Sequence, residues 1–361
     1  MMKQNKLFID IHAIQTVPPS NINRDDTGSP KTAQYGGVRR ARVSSQSWKR
    51  AMRAYFNEYG ALDNVGVRSL DIVNYVADKI QSLDPKCEEE LALEKAEKVI
   101  NDAGIKTKDH KARALFFLGD VQAEQLAKAA LAGEADKKVL KGYLKDNPAI
   151  DIALFGRMVA DDPSLNEDAS SQVAHAISTH AVQTEFDFYT AVDDLAPEDN
   201  AGAGMLGTIE FNSSTLYRYA NIAGHELLKQ LGHPDVTVKT INLFIKAFFN
   251  SMPTGKVNTF ANQTLPEAVL VTIRPDRPVN LVTAFEKPVK SRDGHVTESM
   301  TRLLEENKQV QKFVEPPLAA YWLTLEDSEI ASEGVKTTRD LNDLLTRVGE
   351  ELETAINETG V

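Results

Sequence analysis

The chain has a single cysteine, Cys87, in 361 residues. One thiol excludes an intramolecular disulfide and any centre that needs several thiolates, such as a structural zinc or iron–sulfur site. No apolar run approaches the roughly 18 residues that a membrane-spanning helix needs, and the N-terminal MMKQNKLFIDIH lacks the apolar core of a secretory signal. The sequence therefore predicts a cytoplasmic protein without a metal, a cofactor or a membrane partner.

Patterns that carry reaction chemistry are scarce as well. Gly202, Gly204 and Gly207 have the GxGxxG spacing of a dinucleotide site, but an acidic stretch precedes them and the strand-like TIEF follows, which favours a flexible loop tip. His175 and His180 lie five residues apart, unlike the i, i+4 pair of a zinc protease. No catalytic residue is predicted.

Positive charge is concentrated near the N-terminus. Residues 1–53 carry ten lysines and arginines against three aspartates, a net charge of +7, whereas the whole chain has a net charge of −11. A protein with that overall charge is not expected to coat nucleic acid indiscriminately, so a polyanion would be held on a local surface. The basic segment is the predicted location of that surface.

The basic segment follows a predicted strand and continues into a predicted helix. Residues 6–14 alternate with a period of two, which is typical of a strand. Residues 18–40 are rich in proline and glycine and predict a long irregular loop, in which Gly36 and Gly37 would let the backbone approach a phosphodiester chain.

From Ser45 the pattern becomes helical and divides into two faces. The apolar face would be formed by Trp48, Met52, Tyr55 and Phe56, and the polar face by Gln46, Lys49, Arg50 and Arg53. Cations spaced one turn apart suit successive phosphates, although a solvated helix face is the alternative explanation.

The rest of the chain predicts an α+β protein with a helical insertion. Residues 57 to about 170 have mainly helical periodicity, and strand-like segments between about 178 and 222 flank a polar stretch, as in an extended hairpin. A lysine-rich helix in the insertion places four cations on one side. These are Lys137, Lys138, Lys141 and Lys145.

The run FIDIHAIQTVPPSNINRDDTGSPKTAQYGGVRRARVSSQSWKRAMR closely resembles the N-terminus of the CasC family, the backbone subunit of type I-E CRISPR Cascade surveillance complexes. Four later blocks support the resemblance, which spans most of the chain. They are DIALFGRM, AHAISTHAVQTEFDFYTAVDDL, LGTIEFNSSTLYRYANI and TAFEKPVKSRDG.

The resemblance implies an RRM-like (ferredoxin-like) palm with an inserted helical fingers lobe and a β-hairpin thumb. The corresponding ranges are 1–56 for the N-terminal part of the palm, 57–173 for the fingers, 174–189 for a return to the palm, 190–216 for the thumb and 217–361 for the C-terminal part of the palm. It also implies partners: a CRISPR guide RNA, a target DNA strand, about six copies of the chain itself, and other Cascade subunits that cap both ends and line the belly.

Site residues follow from the resemblance together with the basic segment. The expected guide-RNA contacts are Arg24, Lys31, Arg39, Arg40, Ser44, Gln46, Lys49, Arg53 and Met158. Residues expected to wedge between bases at the thumb are Phe188, Thr190 and Leu206. The fingers lysines Lys137, Lys138, Lys141 and Lys145 resemble a helix that meets duplex DNA.

Two other functions compete with this non-catalytic guide-binding scaffold. One is an RNA-processing endonuclease on an RRM-like fold, with His12 or His175 as general acid or base. Neither histidine lies within residues 17–53, where most of the positive charge is concentrated, which counts against this possibility. The other is a structural oligomer without a nucleic-acid ligand.

Overall fold

The computed structural model describes residues 6–60, 64–159, 162–192, 202–326 and 332–359. The strands are β1 Phe8–Ser20, β2 Thr32–Tyr35, β3 Val38–Val43, β4 Gly66–Ser69, β5 Thr107–Lys108, β6 Lys111–Ala112, β7 Phe116–Gly119, β8 Ser171–Val173, β9 Ala176–Ser178, β10 Glu185–Val192, β11 Gly202–Ala223, β12 Ala268–Arg274, β13 Ala319–Thr324 and β14 Lys336–Thr337. The helices are α1 Ser45–Tyr59, α2 Ile72–Leu83, α3 Glu89–Asp102, α4 Asp120–Ala132, α5 Lys137–Lys145, α6 Ile150–Phe155, α7 Gly224–Leu231, α8 Pro234–Asn250, α9 Val257–Phe260, α10 Val296–Gln309 and α11 Leu341–Thr359. The predicted α+β class is confirmed.

Strand β1 is the centre of a large mixed sheet with the order β14-β13-β12-β1-β11-β9-β3-β2. It pairs antiparallel with β11 on one side and β12 on the other. Alternate residues face opposite sides, so Ile9 and Ile11 enter one apolar cluster while Ile14 enters another. The predicted strand is confirmed, and it extends to Ser20.

Both faces of this sheet are covered. Helices α8 and α11 pack on one face around Phe244, Phe248 and Leu344. The other face is covered by α10 and a 3-10 turn, with Phe285 and Leu303 in its core. In RRM domains exposed sheet aromatics stack on bases. Here the protein itself covers both faces of the sheet around β1, so these faces are not open to bases.

The predicted loop over residues 18–40 is wrong in part, because β2 and β3 form a hairpin there. Gly36 and Gly37 are its two loop residues, and both have positive φ, as a type I′ turn requires. A Cβ on Gly36 would overlap the Glu286 carbonyl group. The backbone at Gly36 therefore approaches an internal neighbour and not a phosphodiester chain. Polar strands such as TAQY lack the apolar alternation by which strands are recognised.

The predicted fingers range contains an apolar core of its own, built from α2, α3, α4 and α5. It is not purely helical: β4 pairs with β7 and β5 pairs with β6. Short buried runs such as FFLG do not distinguish a strand from a helix by periodicity. At the other end of the range, β8 pairs with β11 in the central sheet. The ranges assigned to palm, fingers and thumb stay predictions.

The predicted thumb lies on a hairpin that grows out of the central sheet. The first part of β11 pairs with β10, and its second part pairs with β1. Gly207 lies inside β11 and not in a loop tip as predicted. Position 207 needs a glycine because the Tyr189 ring occupies the space that a side chain there would fill. Residues 193–201 of the predicted thumb lie outside the described residues.

No helix in these described ranges is long and apolar enough to cross a membrane.

Candidate nucleic-acid interface

Helix α1 is amphipathic in the way that the sequence predicts. The side chain of Ser44 caps its N-terminus by accepting a hydrogen bond from the Ser47 amide at 3.3 Å. Trp48, Met52 and Phe56 are buried. The Trp48 ring lies 3.6 Å from the guanidinium carbon of the buried Arg218. This packing fixes the rotation of the helix about its own axis.

The opposite side of α1 lines a groove of about 510 Å³ between the helix and the fingers core. Gln46, Lys49 and Arg53 contribute from α1, and Met158 contributes from the segment after α6. Met158 is 84% exposed. Glu167 and Asp168 also line the groove, together with more cations than acids. An apolar side chain so open to solvent in such a groove is typical of a binding surface.

Arg68 on β4 also lines this groove. Burial and then the neighbouring Arg68 and Arg53 guanidinium groups lower the pKa of Lys49. The groove cations, defined here as Lys49, Arg53 and Arg68, therefore repel one another, and a bound anion would relieve that repulsion. Arg68 pairs with Phe117 across strands β4 and β7, and both residues line the groove beside α1. Sequence reasoning missed Arg68 because this strand pairing is not visible in the sequence.

Arg53 is held by its surroundings before any ligand binds. Its guanidinium carbon lies 5.0 Å from the centre of the Phe117 ring. Burial lowers the pKa of Arg53, and the buried Asp151 carboxylate opposes that decrease. A side chain fixed in this way loses little conformational freedom when it contacts a phosphate.

A second group of cations lies next to the groove. Arg42 on β3 contacts the Nδ1 atom of His175 at 3.1 Å through Nη1. Burial, followed by the charges of Arg42, Lys31 and Lys49, lowers the pKa of His175. The fold thus brings a histidine into the basic surface although the sequence separates them. The nearby Ser44 is buried and caps α1, so its predicted guide contact stays a prediction.

Arg24 and Arg39 are exposed. Arg24 forms an isolated bridge with Pro30 in the connection between β1 and β2, and Arg39 lies on β3 opposite Gln34. Neither residue lines the groove. Their predicted guide contacts stay predictions.

Arg40 requires a correction. Its side chain is fully buried and donates hydrogen bonds to the carbonyl oxygens of four residues. These are Tyr35, Ser178, Phe285 and Glu286, at 2.7 to 3.3 Å. Because internal acceptors occupy its guanidinium group, Arg40 ties the β2–β3 hairpin to the sheet and does not face a ligand. In the sequence it could not be distinguished from the exposed Arg39.

The predicted wedge residues lie on one face of the β10–β11 hairpin. Thr190 pairs directly with Leu206, and Phe188 pairs with Thr208, so these side chains project on the same side. Phe188 and Leu206 are 65% and 68% exposed. A protruding hairpin with exposed apolar side chains is suited to contact flat apolar surfaces, including the faces of bases.

The lysines of α5 do not behave alike. Lys137, Lys138 and Lys145 are exposed, whereas Lys141 forms an ion pair with Asp162 and donates a hydrogen bond to Ser164. The opposite side of the helix buries Leu140 and Leu144. Three of the four predicted DNA-contacting side chains are therefore available to a ligand.

The histidines of the competing nuclease hypothesis lie in contrasting environments. His12 is buried, its Nδ1 atom lies 2.9 Å from the Tyr217 hydroxyl group, and burial lowers its pKa to about 3. It cannot reach a substrate. His175 is exposed and lies among cations. No group of three or more His, Cys, Asp or Glu within the described ranges could hold a metal ion.

A family model described as "CT1975-like protein" matches residues 9–347. The chain belongs to the CT1975-like protein family. A solved structure described as "CRISPR RNA-guided surveillance complex, pre-nicking" is 30% identical to it, has a TM-score of 0.84, and the match covers 96% of this chain and 100% of that chain. A second, described as "CRISPR RNA-guided surveillance complex", is 28% identical with a TM-score of 0.72 and coverage of 95% and 99%.

No curated protein matches the chain. The CT1975-like family and the two solved structures confirm the resemblance to CasC that the sequence blocks indicate. The similarity covers nearly the whole chain, including residues 57–150, where none of the quoted sequence blocks lies.

Proposed function

We propose that this CT1975-like protein is a non-catalytic, guide-RNA-binding backbone subunit of a type I-E Cascade-like complex. Several copies, about six, polymerise along one CRISPR RNA, protect it and present it for pairing with target DNA. Other subunits cap the two ends and line the belly. The observation that carries this proposal is the groove beside α1, which is lined by Gln46, Lys49, Arg53 and Arg68 together with an exposed Met158.

The chemistry of the groove suits a nucleic-acid backbone better than particular bases. Cations and an amide bind phosphate and sugar without reading sequence, which leaves the pairing edges of the guide free. A guide scaffold must accept any spacer sequence, so contacts of this kind are what its function requires.

The hairpin and α5 provide the remaining contacts. Phe188, Thr190 and Leu206 would wedge against bases and interrupt the guide–target duplex where each copy meets the strand. The exposed lysines of α5 would contact the backbone of target DNA. Both assignments rest on residues at positions that match the CasC pattern. The exposure of Phe188 and Leu206 and of the lysines Lys137, Lys138 and Lys145 supports them.

An RNA endonuclease is the second candidate, because His175 lies beside Arg42 in a cationic surface. Cations next to a histidine are the setting in which general acid–base cleavage of RNA takes place. Against this candidate, burial and then Arg42 and its neighbours lower the pKa of His175 and so disfavour its protonated form.

Co-purification from cells that express a CRISPR locus tests the proposal. The tagged chain should bring down partner proteins and an RNA of uniform length. An assembled complex without RNA would contradict the proposal and support a structural oligomer. Cleavage of repeat RNA by the purified chain alone, lost in His175→Ala and kept in His233→Ala as the matched exposed histidine, would establish the nuclease instead.

A further inference from the structure

The β5–β6 hairpin of the fingers range carries a basic face outside the groove. It spans residues 106–113, with the sequence KTKDHKAR. Lysine and arginine outnumber acids there by four to one. We propose that this hairpin is an additional binding site for the phosphodiester backbone of nucleic acid.

The pairing register places all four cations of the hairpin on one face. Lys108 pairs with Lys111, and the Arg113 amide donates a hydrogen bond to the Lys106 carbonyl group at 3.0 Å. Residues directly opposite each other, or two apart along a strand, share a face. The hairpin cations are therefore Lys106, Lys108, Lys111 and Arg113, and all four are exposed.

Few acids offset this face. Within the described residues, Lys106, Lys108 and Arg113 have no carboxylate within 4.0 Å, and Lys111 contacts Asp71 at 3.5 Å between two largely exposed side chains. Like charges placed directly opposite each other on a hairpin destabilise it. Packing does not need them, because the opposite face already buries Ala112. A polyanion would turn this repulsion into attraction.

The hairpin is held rigidly against α3. Asp109 and His110 have positive φ and form a tight two-residue turn. Glu97 on α3 accepts a hydrogen bond from the Thr107 hydroxyl group at 2.7 Å and contacts His110 Nδ1 at 2.8 Å. The Ala112 amide donates to the Leu70 carbonyl group at 2.8 Å. The hairpin cations thus project from a fixed support.

The segment that enters the hairpin lies beside the lysine helix α5. A Cβ built on Gly104, two residues before the hairpin cations begin, would lie 3.3 Å from the Asp162 carboxylate, 3.4 Å from the Lys141 side chain and 3.6 Å from that of Lys137. The two basic elements are therefore neighbours on the fingers, and the Lys141–Asp162 ion pair lies where they meet. Cations two residues apart on a strand are separated by about 6.8 Å, which is close to the rise of two nucleotides in a duplex.

The test compares assembled complexes that carry wild-type or variant chains. It rests on the proposed function for the choice of the two ligands, guide RNA and duplex DNA. Lys106→Glu/Lys108→Glu should weaken binding of duplex DNA or retention of guide RNA by about tenfold at 0.1 M salt and make the salt slope shallower by about two. Loss in the DNA arm alone would assign the site to DNA, and loss in the RNA arm alone would assign it to the guide.

Lys239→Glu/Lys246→Glu on α8 is the matched control, because both lysines are exposed and the charge change is equal. A third variant, Asp109→Asn, removes the acid from the hairpin and should strengthen the same binding about twofold. Binding of both ligands equal to that of the α8 control would overturn the proposal. If the wild-type complex held no RNA, the proposed function would fail instead, so the two failures are distinguishable.

Discussion

The groove cations and the hairpin cations are both basic surfaces, but the protein supports them differently. Lys49 and Arg53 are half-buried, and the ring of Phe117 lies beside Arg53. Lys106 and Lys108 are exposed on a short hairpin. Burial lowers the pKa of both Lys49 and Arg53, which reflects their partial removal from water before a ligand arrives.

This difference indicates two modes of binding. Side chains that are already oriented lose little further conformational entropy when they contact a ligand. Charges that are partly removed from water are also screened less by salt. Such a groove suits a ligand that stays bound, as a guide must. Exposed cations are screened strongly and suit a partner that is captured and released, such as DNA during a search.

The largest expected effect is a loss of guide affinity on substitution of Lys49, with the neighbouring Arg50 as control. Lys49→Glu should lower guide affinity at least about tenfold and by the same factor for every guide sequence, because the lost contact is to phosphate. Arg50 is exposed and does not line the groove, so Arg50→Glu should change affinity no more than about twofold. Filter binding with two unrelated guides measures both. A loss that depends strongly on guide sequence would argue against contacts to the backbone.

Salt should separate the two surfaces next. Raising sodium chloride from 0.1 to 1 M shortens the screening length from about 10 to about 3 Å. Duplex DNA without a match to the guide should dissociate over this range while the guide stays bound. Gel filtration of labelled complexes at each salt concentration reports both ligands. Release of guide and DNA at the same concentration would remove the distinction between the surfaces.

Within α5, Lys138 and Lys141 should have different effects. Lys138→Glu should weaken DNA binding a few-fold without changing thermal stability, because the side chain is exposed. A hydrogen bond from Lys141 is the main reason why the pKa of Asp162 is lowered to about 2. Lys141→Glu would replace this ion pair by two neighbouring carboxylates. It should lower the free energy of unfolding by about 1 kcal/mol. Thermal melts with DNA titrations distinguish them, and equal melting temperatures would contradict the assigned ion pair.

The smallest expected effect is a shift at His175. Burial and then neighbouring cations disfavour its protonated form, so its pKa should lie below the usual value for histidine in the RNA-free chain and rise when a nearby cation is removed, as in Lys49→Gln. Bound RNA should raise it as well. Histidine side-chain NMR follows the titration, with Arg50→Gln as control. A lower pKa in Lys49→Gln would mean that the cations are not crowded around this site.

The sequence was sufficient to predict β1 and α1, because each has a single periodicity with apolar residues on one side. The position of Lys49 on the face opposite the buried stripe was predictable as well, whereas the groove that it lines depends on the fingers. Arg40 and Arg68 could not be assigned, because burial and adjacency depend on pairings between distant strands. The basic hairpin was missed because its strands have two residues each, too few for periodicity to be visible.

Ultraviolet cross-linking of the purified complex tests the central claim most directly. Cross-linked guide RNA should map by mass spectrometry to peptides that contain residues 46–53 and Met158, which line the groove. Cross-linked duplex DNA should map to residues 106–113 and 137–145. Guide RNA cross-linked only to the fingers peptides, with none in α1, would contradict the assignment of the groove as the guide-binding site.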